Sequence, residues 1–292
     1  SSIVNTLDSD LQRQLRAAVA GALTEDIGTG DLTAALIPSG QKARAQVLVR
    51  HAAVICGIPW FDEVFAQLSK DIKVTWLVTE GAFVSTDTVI CKLSGPARAM
   101  LTGERTALNF LQTLSATATT ANAYKEAVAG TRTIILDTRK TIPGLRLAQK
   151  YAVRIGGASN HRIGLYDGIL IKENHIAASR GIAGAVSAAL SQGDGILIEV
   201  EVETLEQVQE AIAAGAHRLL LDNFSLQQMQ AAVALRDALN QQVTLEASGG
   251  VNLTSIKEIA ATGVDFISVG SITKDVKAVD LSMRFEMLQS RL

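Results

Sequence analysis

The chain has 292 residues, of which 48% are hydrophobic, 19% charged and 4% aromatic. This composition is typical of a globular protein of one or two domains and argues against disorder, collagen and coiled coil. The net charge of −2 offers no basic field for a nucleic acid, and the few aromatic side chains offer little stacking surface for single strands. We therefore expect no nucleic-acid partner.

The cysteines and the apolar runs indicate a cellular environment. Cys56 and Cys91 are too few for a disulfide framework and form no CxxC pair, which favours the reducing cytoplasm. Residues 1–4 contain neither a basic nor an apolar signal segment, and the sequence has no uncharged apolar run of about 18 residues. We therefore predict a cytoplasmic protein with no signal peptide and no membrane span.

Residues 1–115 mix strand and helix signals. Alternating polar and apolar residues predict three strands, over 43–50, 74–78 and 88–93. Helices are predicted to begin at Pro59 and Pro96, and the second reaches Gly130 with a break near Ser115.

After Gly130 the pattern changes to short apolar runs, each followed by a helix or by a loop that leads to one. The six runs span residues 133–137, 168–172, 195–203, 218–222, 243–247 and 266–270. The clearest helices span residues 205–214, 226–239 and 254–262. This alternation predicts parallel strands with crossover helices, and six units are too few for eight-fold closure. We therefore predict an α/β fold with an open or incomplete α/β barrel.

Polar residues and a glycine mark the ends of the six predicted strands. They are Asp137, Lys172, Glu201, Asp222, Glu246 and Gly270. In α/β barrels the active site lies at the carboxyl ends of the strands. One charge at a strand end would only mark contact with solvent, but six converging ends with both signs of charge predict an active-site mouth.

The two signs of charge are segregated along the chain. Residues 139–175 contain seven Lys or Arg and two acids, whereas residues 194–246 contain nine acids and two Arg. A mouth lined by both would have a cationic wall for carboxylates and phosphates, and an anionic wall for sugar hydroxyls and Mg²⁺-bound pyrophosphate. The alternative is a set of solvated helix faces, and it is strongest for Arg146, Lys150 and Arg154, which are spaced four apart.

Two loops concentrate cations next to predicted strand ends. Arg139 and Lys140 follow the first strand, and adjacent cations in a loop repel each other unless an anion bridges them. His161 and Arg162 follow the glycine pair at 156–157. A lone histidine is more often structural, but the neighbouring Arg162 favours an anion-binding role.

Glycine-rich segments end the last two predicted strands. They are Ser248-Gly249-Gly250 and Val269-Gly270-Ser271, each before a helix, as in the phosphate site of α/β barrels. The sequence contains no GxGxxG, GxxxxGK[ST], HExxH or GxSxG motif. Dinucleotide binding, P-loop chemistry, zincin hydrolysis and the α/β-hydrolase nucleophile therefore find no support.

The helix predicted after Pro96 carries a polar stripe. Thr102, Arg105, Asn109 and Gln112 recur at spacings of three and four among mostly apolar residues. A polar stripe on a helix that should be buried needs a partner. The residues alone leave solvent, a binding site and a subunit boundary as possible partners.

Eight segments carry a resemblance to a known family. They read EDIGTGDLT (25–33), LTGERTALNFLQTLS (101–115), LDTRKTIPGLR (136–146), YAVRIGGASNHRIGLYDGILIKENHI (151–176), EVEVETLEQ (199–207), LLLDNFS (219–225), EASGGVN (246–252) and TGVDFISVGSITK (262–274). In these segments, which extend over nearly the whole chain, the sequence resembles the quinolinate phosphoribosyltransferases of de novo NAD biosynthesis.

The resemblance implies a fold and an assembly. It implies an N-terminal α/β sandwich domain over residues 1–115 and an open, incomplete (TIM-like) α/β barrel domain over residues 116–274. A last helix, over 281–292 within the segment 275–292, would pack on the N-terminal domain. The family likeness also implies a homodimer in which the partner's N-terminal domain closes each active site, which would explain the stripe around Arg105.

The resemblance further implies a reaction. Quinolinate, a pyridine dicarboxylate, would react with phosphoribosyl pyrophosphate and Mg²⁺ to give nicotinate mononucleotide, pyrophosphate and CO₂. The ring nitrogen would attack the anomeric carbon, and the ribosylated, positively charged ring would stabilise the anion that loss of CO₂ leaves. No organic cofactor is then needed.

The matching motif positions assign roles to residues. The residues that would hold the two carboxylates are Arg105, Arg139, His161, Arg162 and Lys172. Lys140 would reach the pyrophosphate, and Glu201 and Asp222 would meet the ribose hydroxyls or Mg²⁺, so these three are the expected catalytic residues. The rest of the substrate-binding set, which includes the cradle of the 5-phosphate, is Thr138, Ser248, Gly249, Gly250, Val269, Gly270 and Ser271.

Two kinds of alternative remain. One is a related phosphoribosyltransferase acting on nicotinate or another small ring acid, or a molybdenum-linked paralogue of unclear substrate. The other is a non-catalytic binding paralogue that keeps the barrel but has lost the chemistry. The paired cations favour a dicarboxylate substrate, and the intact motifs argue against loss of activity.

Overall fold

The computed structural model of the protein describes residues 7–289. The signal-peptide prediction at residues 1–4 and residues 290–292 of the predicted last helix lie outside this range. The chain forms two compact units: residues 7–120, Ile142–Gly156 and 275–289 form the first, and Ala121–Thr141 and Gly157–Lys274 form the second. The domain boundaries 1–115 and 116–274 stay a prediction from the sequence.

An antiparallel four-stranded sheet organises the first unit. Its strands, in spatial order, are β12 (Leu281–Leu288), β1 (Lys42–Val49), β5 (Thr88–Pro96) and β3 (Lys73–Trp76). A separate pair consists of β2 (Ala53–Val54) and β4 (Phe83–Val84). The helices are α1 (Ser9–Ile27), α2 (Ile58–Leu68), most of α3 (Ala97–Ala127) and α4 (Arg146–Ile155), with a 3₁₀ turn at Ala34–Leu36. Side chains from the sheet and these helices share one hydrophobic core.

Helix α2 begins at a buried carboxylate. Gly57 precedes the helix with φ of 113°, a left-handed conformation that favours glycine. The amides of Gly57 and Ile58 donate to Oε1 of Glu80 at 3.0 and 3.3 Å, which satisfies donors that the first helical turn leaves unpaired. The Tyr151 hydroxyl donates to Oε2 of Glu80 at 2.6 Å. Burial raises the pKa of Glu80, and these hydrogen bonds oppose the rise.

The prediction of a last helix over 281–292 is wrong for the described residues. Residues Leu281–Leu288 form strand β12, which pairs antiparallel with β1 from Val49↔Leu281 to Lys42↔Leu288. Leu281 and Met283 are buried while Arg284 and Glu286 are exposed, and this alternation suits a strand with one face on a core. The segment does associate with the N-terminal residues, as an edge strand of their sheet.

The prediction of a helix break near Ser115 is also wrong. Helix α3 is continuous from Ala97 to Ala127, and Pro96 is the last residue of β5. The buried hydroxyl of Ser115 donates to the carbonyl of Cys56 at 3.0 Å and accepts from the Cys56 amide at 2.9 Å. Because this contact satisfies the hydroxyl, Ser115 does not compete with the helix backbone.

Six parallel strands form the second unit. Their spatial order is β6 (Ile134–Leu136), β11 (Phe266–Ser268), β10 (Thr244–Ser248), β9 (Arg218–Asp222), β8 (Ile198–Val202) and β7 (Ile169–Ile171). The helices are α5 (Glu173–Ala178), α6 (Ile182–Leu190), α7 (Leu205–Ala214), α8 (Leu226–Leu239), α9 (Ile256–Ala261) and α10 (Ser271–Lys274). The first strand of the unit thus pairs with the last, as in a barrel.

The barrel is open between β6 and β7. The strands that pair with β6 and β7 within residues 7–289 are β11 and β8, respectively, and β6 makes one further isolated bridge, Leu136↔Ser159. The predicted α/β class with an open barrel is therefore confirmed, and all six predicted strands are present. None of the helices in the described part of the chain combines the length and apolar character that a membrane crossing requires.

Candidate active site

Two predicted loops meet at the carboxyl ends of β6 and β11, because these strands are parallel neighbours. The Lys140 amide donates to Oγ1 of Thr138 at 3.1 Å, and Oγ1 of Thr273 donates to the Lys140 carbonyl at 2.7 Å. A Cβ on Gly270 would lie 3.1 Å from Cδ of Lys140 and 3.7 Å from Oγ1 of Thr138. Glycine at 270 therefore leaves room for the Lys140 side chain, which is exposed.

The second glycine-rich segment lies beside the end of β9. Ser248 is opposite Asp222 in the parallel register of β10 and β9. Gly249 and Gly250 have φ of 92° and 61°, in the left-handed region that favours glycine, and both are exposed. The two glycines have no side chain to cover the backbone. Their amide groups, next to the strand end that carries Asp222, are therefore accessible to a phosphate.

A pair of carboxylates occupies the ends of β8 and β9. Burial raises the pKa of Glu201, Asp222 raises it further, and Lys172 at the end of β7 opposes the rise. The three side chains therefore lie close enough to interact electrostatically. A cation bound between two carboxylates relieves their repulsion, and oxygen donors of this kind suit Mg²⁺.

A pair of guanidinium groups lies at the same mouth. Burial lowers the pKa of Arg162, and the neighbouring charge of Arg139 lowers it further, against smaller opposing effects of Glu199 and Asp167. Nη1 of Arg162 donates to the Gly168 carbonyl at 3.2 Å. Two cations held near each other favour an anion between them.

A buried and an exposed carboxylate hold the loop that carries Arg162. The His161 amide and the Asn160 side chain donate to the two oxygens of Asp137 at 2.7 and 2.6 Å, and Asp137 is fully buried. The amides of Ile163 and Gly164 donate to the carboxylate of Asp167. The loop is therefore shaped by contacts to charged acceptors on both sides of Arg162.

The ring of His161 points into the barrel interior. Its Nε2 lies 2.8 Å from Oε1 of Glu199 and 2.9 Å from Oε1 of Glu246, and the Arg162 amide donates to its Nδ1 at 2.7 Å. Burial lowers the pKa of His161, but the two carboxylates outweigh it and raise the pKa to about 9. The Arg162 amide opposes this rise in the pKa of His161, because it donates to Nδ1, the atom that must carry a proton when the ring is charged. Binding of a substrate carboxylate by His161 stays a prediction.

Glu199 is not among the predicted site residues, and Glu246, which the sequence places at a strand end of the mouth, lies within β10 and is buried. Burial raises the pKa of Glu199 to about 7. Burial also acts to raise that of Glu246, but His161 outweighs it, and the pKa is lowered. The alternating glutamates of EVEVE were the available signal for Glu199, since alternate residues of a strand share a face.

These two glutamates and His161 are the one group of three candidate metal ligands among residues 7–289. Their ligand atoms already contact one another at hydrogen-bond distance. The group is distinct from Glu201 and Asp222, to which the sequence assigned Mg²⁺. The buried group therefore forms contacts within itself, and Mg²⁺ at Glu201 and Asp222 stays a prediction.

The remaining predicted residues are in both units. Arg105 is exposed on α3 in the first unit, beside a cavity of about 400 Å³, and its neighbour Thr102 donates to Asp31 at 2.7 Å. In the second unit Val269 is buried, and Oγ of Ser271 lies 3.5 Å from the Tyr124 hydroxyl.

The helix cations Arg146, Lys150 and Arg154 belong to α4 of the first unit. Lys150 is fully buried, so the solvated-face alternative is wrong for it, whereas Arg154 is exposed. The cations that the second unit itself supplies at the strand ends are Arg139, Lys140, Arg162 and Lys172.

The second unit is thus an open α/β barrel whose mouth combines paired cations, paired carboxylates and two glycine-rich strand ends. This combination defines a barrel enzyme for acidic, phosphorylated substrates. A family model described as quinolinate phosphoribosyl transferase, C-terminal domain, matches residues 117–284, and one for the N-terminal domain matches residues 31–115. The chain belongs to the quinolinate phosphoribosyltransferase family.

Individual relatives agree with this assignment. A probable nicotinate-nucleotide pyrophosphorylase (carboxylating) of Bacillus subtilis is 41% identical over 92% of this chain and 93% of the relative. A quinolinate phosphoribosyltransferase (decarboxylating) of Nicotiana tabacum is 36% identical over 93% of this chain and 82% of the relative. The solved nicotinate-nucleotide pyrophosphorylase of Francisella tularensis has a TM-score of 0.91 at 46% identity, covering 97% of this chain and 99% of that chain. The family predicted from the sequence is confirmed.

Proposed function

We propose that this protein transfers the phosphoribosyl group of phosphoribosyl pyrophosphate to quinolinate, with release of pyrophosphate and CO₂, in de novo NAD biosynthesis. The observation that carries the proposal is the presence of the Arg139–Arg162 cation pair and the Glu201–Asp222 carboxylate pair at one barrel mouth. The first pair suits a dicarboxylate, and the second suits a ribose and Mg²⁺. The names of the relatives support the same reaction.

The cationic side would bind quinolinate. Arg139 and Arg162 repel each other, so a carboxylate between them lowers the energy of both, and a guanidinium can bind it through two hydrogen bonds. Lys172 and Arg105 would meet the remaining carboxylate oxygens. His161, whose ring nitrogens contact Glu199, Glu246 and the Arg162 amide, would contribute to this set by supporting Arg162. Quinolinate carries two carboxylates, which explains why the proposed site has several cations.

The glycine-rich side would bind the phosphoribosyl donor. Ser248, Gly249 and Gly250 would cradle the 5-phosphate together with the segment Val269-Gly270-Ser271, because exposed backbone amides are good phosphate ligands. Lys140, beside Gly270 and Thr138, would reach the pyrophosphate.

Mg²⁺ would be held at Glu201 and Asp222 indirectly, as its pyrophosphate complex. The fit rests on the chemistry of the two carboxylates: burial raises the pKa of Glu201, and the nearby charge of Asp222 raises it further, which a bound cation would relieve. When bound, the metal would neutralise charge on the departing pyrophosphate. No organic cofactor is proposed.

In the mechanism, the protein chiefly positions its substrates and stabilises charge. Arg139 and Arg162 would orient the quinolinate ring with its nitrogen toward the anomeric carbon, which converts an encounter in solution into a directed attack. Glu201 and Asp222 would stabilise the positive charge that develops on the ribose as pyrophosphate leaves. Loss of CO₂ then leaves the electron pair of the broken bond on the ring carbon, where the positive charge of the ribosylated nitrogen stabilises it, and a proton from solvent takes the place of the carboxylate.

We also propose a homodimer in the cytoplasm. Arg105 belongs to the first unit, and the family likeness assigns it to the active site of the partner subunit. Both cysteines are free and buried, which agrees with a reducing environment.

The test is incubation with quinolinate, phosphoribosyl pyrophosphate and Mg²⁺, followed by mass analysis of the products. Nicotinate mononucleotide, formed with one pyrophosphate and one CO₂, supports the proposal. Turnover of nicotinate in place of quinolinate identifies the sibling activity. Binding without turnover of either acid identifies a non-catalytic paralogue.

A further inference from the structure

The contact between His161 and the barrel interior is an anchor for the substrate-binding loop. We propose that Glu199 and Glu246 are positioning residues, which hold Nε2–H of His161 and thereby fix the loop at the place where Arg162 meets the substrate carboxylate. The inference rests on the proposed function and deepens it, because it assigns a role to two residues that were given none in substrate binding or catalysis.

The anchor joins the loop to two different strands. Glu199 belongs to β8 and Glu246 to β10, on either side of β9, and the His161 ring contacts both carboxylates, at 2.8 and 2.9 Å. The side chain of His161 is 12% exposed, and those of the glutamates are 2% and 3% exposed. The strands of one sheet hold their side chains in fixed relative positions, so a ring in contact with both glutamates has little freedom to move.

Packing alone does not explain why Glu199 and Glu246 are buried in the barrel interior. Oε2 of Glu199 and Oε1 of Glu246 are buried and have no hydrogen-bond partner among residues 7–289, although Oε1 of Glu246 lies 2.9 Å from Nε2 of His161 as an ion-pair contact. Glu246 has the hydroxyl of Ser268 and, 3.8 Å away, Nη1 of Arg218. Burying two carboxylates is unfavourable, and apolar side chains would fill the same space more favourably. Their presence calls for a task that needs negative charge and acceptors, and Nε2 of His161 faces both: it is hydrogen-bonded to Glu199 and contacts Glu246 as an ion pair.

The second ring nitrogen of His161, Nδ1, connects the anchor to Arg162. The Arg162 amide donates to Nδ1 of His161 at 2.7 Å, while the His161 amide donates to Asp137. A change in the ring position therefore moves the backbone of Arg162 directly. With Nδ1 serving as an acceptor, the ring proton belongs on Nε2, where Glu199 accepts it and the charge of Glu246 lies close by.

The first test observes the ring in the wild-type protein. The chain has four histidines, so ¹⁵N-histidine NMR can be assigned by comparison with His161→Gln. We expect a slowly exchanging, downfield Nε2–H signal from His161, which moves or is lost to exchange in Glu199→Gln and in Glu246→Gln. Absence of such a signal from wild type overturns the proposal, and this measurement does not depend on how well the variants fold.

The second test separates positioning from stability. Glu199→Gln and Glu246→Gln should raise KM for quinolinate about ten-fold or more, since a displaced binding group loses much of its effect, while KM for the phosphoribosyl donor changes less than about two-fold. Glu210→Gln, an exposed glutamate on α7, is the matched control and should change neither constant. Folded variants with a wild-type quinolinate KM overturn the proposal.

The two tests also separate this proposal from the proposed function. Failure of wild type to turn over quinolinate would contradict the function, yet the NMR signal would still report whether the glutamates hold the ring. A wild-type enzyme that turns over quinolinate but lacks the Nε2–H signal would contradict only the anchor.

Discussion

The backbone N–H of Arg162 donates to Nδ1 of His161 across 2.7 Å, which ties a cation of the mouth to a ring in the barrel interior. Arg162 also has a pKa lowered by burial and by Arg139. Two loops, one carrying Arg139 and the other Arg162, therefore hold two repelling cations near each other before any substrate arrives. Such preorganisation is what the tight binding of a carboxylate requires.

Arg139→Ala should weaken the use of quinolinate far more than the use of the phosphoribosyl donor. A charge-assisted hydrogen bond to a carboxylate is worth about 1.5–3 kcal/mol, or roughly ten- to a hundred-fold in affinity. Dissociation constants for each substrate, measured by titration calorimetry, check this, with the exposed Lys257→Ala as control. An unchanged constant for quinolinate with a damaged constant for the donor would contradict the assignment.

Glu201→Gln and Asp222→Asn should bind quinolinate nearly normally but lose turnover. These carboxylates should act only when the ribose and Mg²⁺ are present, by stabilising the developing positive charge. Steady-state rates at saturating Mg²⁺, together with quinolinate binding, provide the measurement. Wild-type turnover by one of these variants would remove that residue from the site.

Mixing Arg105→Ala with Lys172→Ala should restore activity if Arg105 serves the partner's site. After random exchange about half of the dimers are mixed, and each has one intact site, so about a quarter of wild-type activity should return when the sites act independently. The measurement is activity after exchange verified by native mass spectrometry. No recovery would mean that Arg105 acts in its own subunit.

Asp62→Asn should stabilise the first unit at alkaline pH. Burial raises the pKa of Asp62 to about 6, against the hydrogen bond from Nε1 of Trp76 at 2.8 Å. A raised carboxyl pKa means that the native state binds the proton more tightly, so wild type loses stability as pH rises from about 4 to about 6. Asparagine keeps an acceptor for Trp76 and removes the charge.

The expected gain for Asp62→Asn is about 1–2 kcal/mol at pH 8, discounted for partial exposure, and it should vanish near pH 4. Urea unfolding across this pH range provides the measurement. The exposed Asp71→Asn serves as control and should show no such pH-dependent gain. A gain for Asp62→Asn that is equal at pH 4 and pH 8 would show that its carboxyl does not titrate as proposed.

The elements that the sequence predicted well depend on local periodicity. Helices α7 and α8 begin and end at the predicted residues. Their beginnings were predictable because Thr204 and Ser225 cap the first turns through side-chain oxygens. The six strands of the barrel were predictable because short apolar runs between helices have few other structures available to them. The open barrel followed from their number.

The elements that were missed depend on distant partners. Ser115 suggested a helix break, but Cys56, far away in sequence, satisfies its hydroxyl. Strand β12 alternates like a strand, yet its place depends on the free edge of β1. The contact of His161 with Glu199 and Glu246 joins three separate segments, and no local spacing indicates it.

The most direct test of the proposed reaction follows the 2-carboxylate of quinolinate. With quinolinate carrying ¹³C in that carboxylate, the protein, phosphoribosyl pyrophosphate and Mg²⁺ should release one labelled CO₂ for each pyrophosphate formed, and none when the phosphoribosyl donor is omitted. The dependence on the donor follows because the ring nitrogen becomes an electron sink only after it is ribosylated. Pyrophosphate formation without labelled CO₂, or no consumption of quinolinate, would contradict decarboxylating phosphoribosyl transfer.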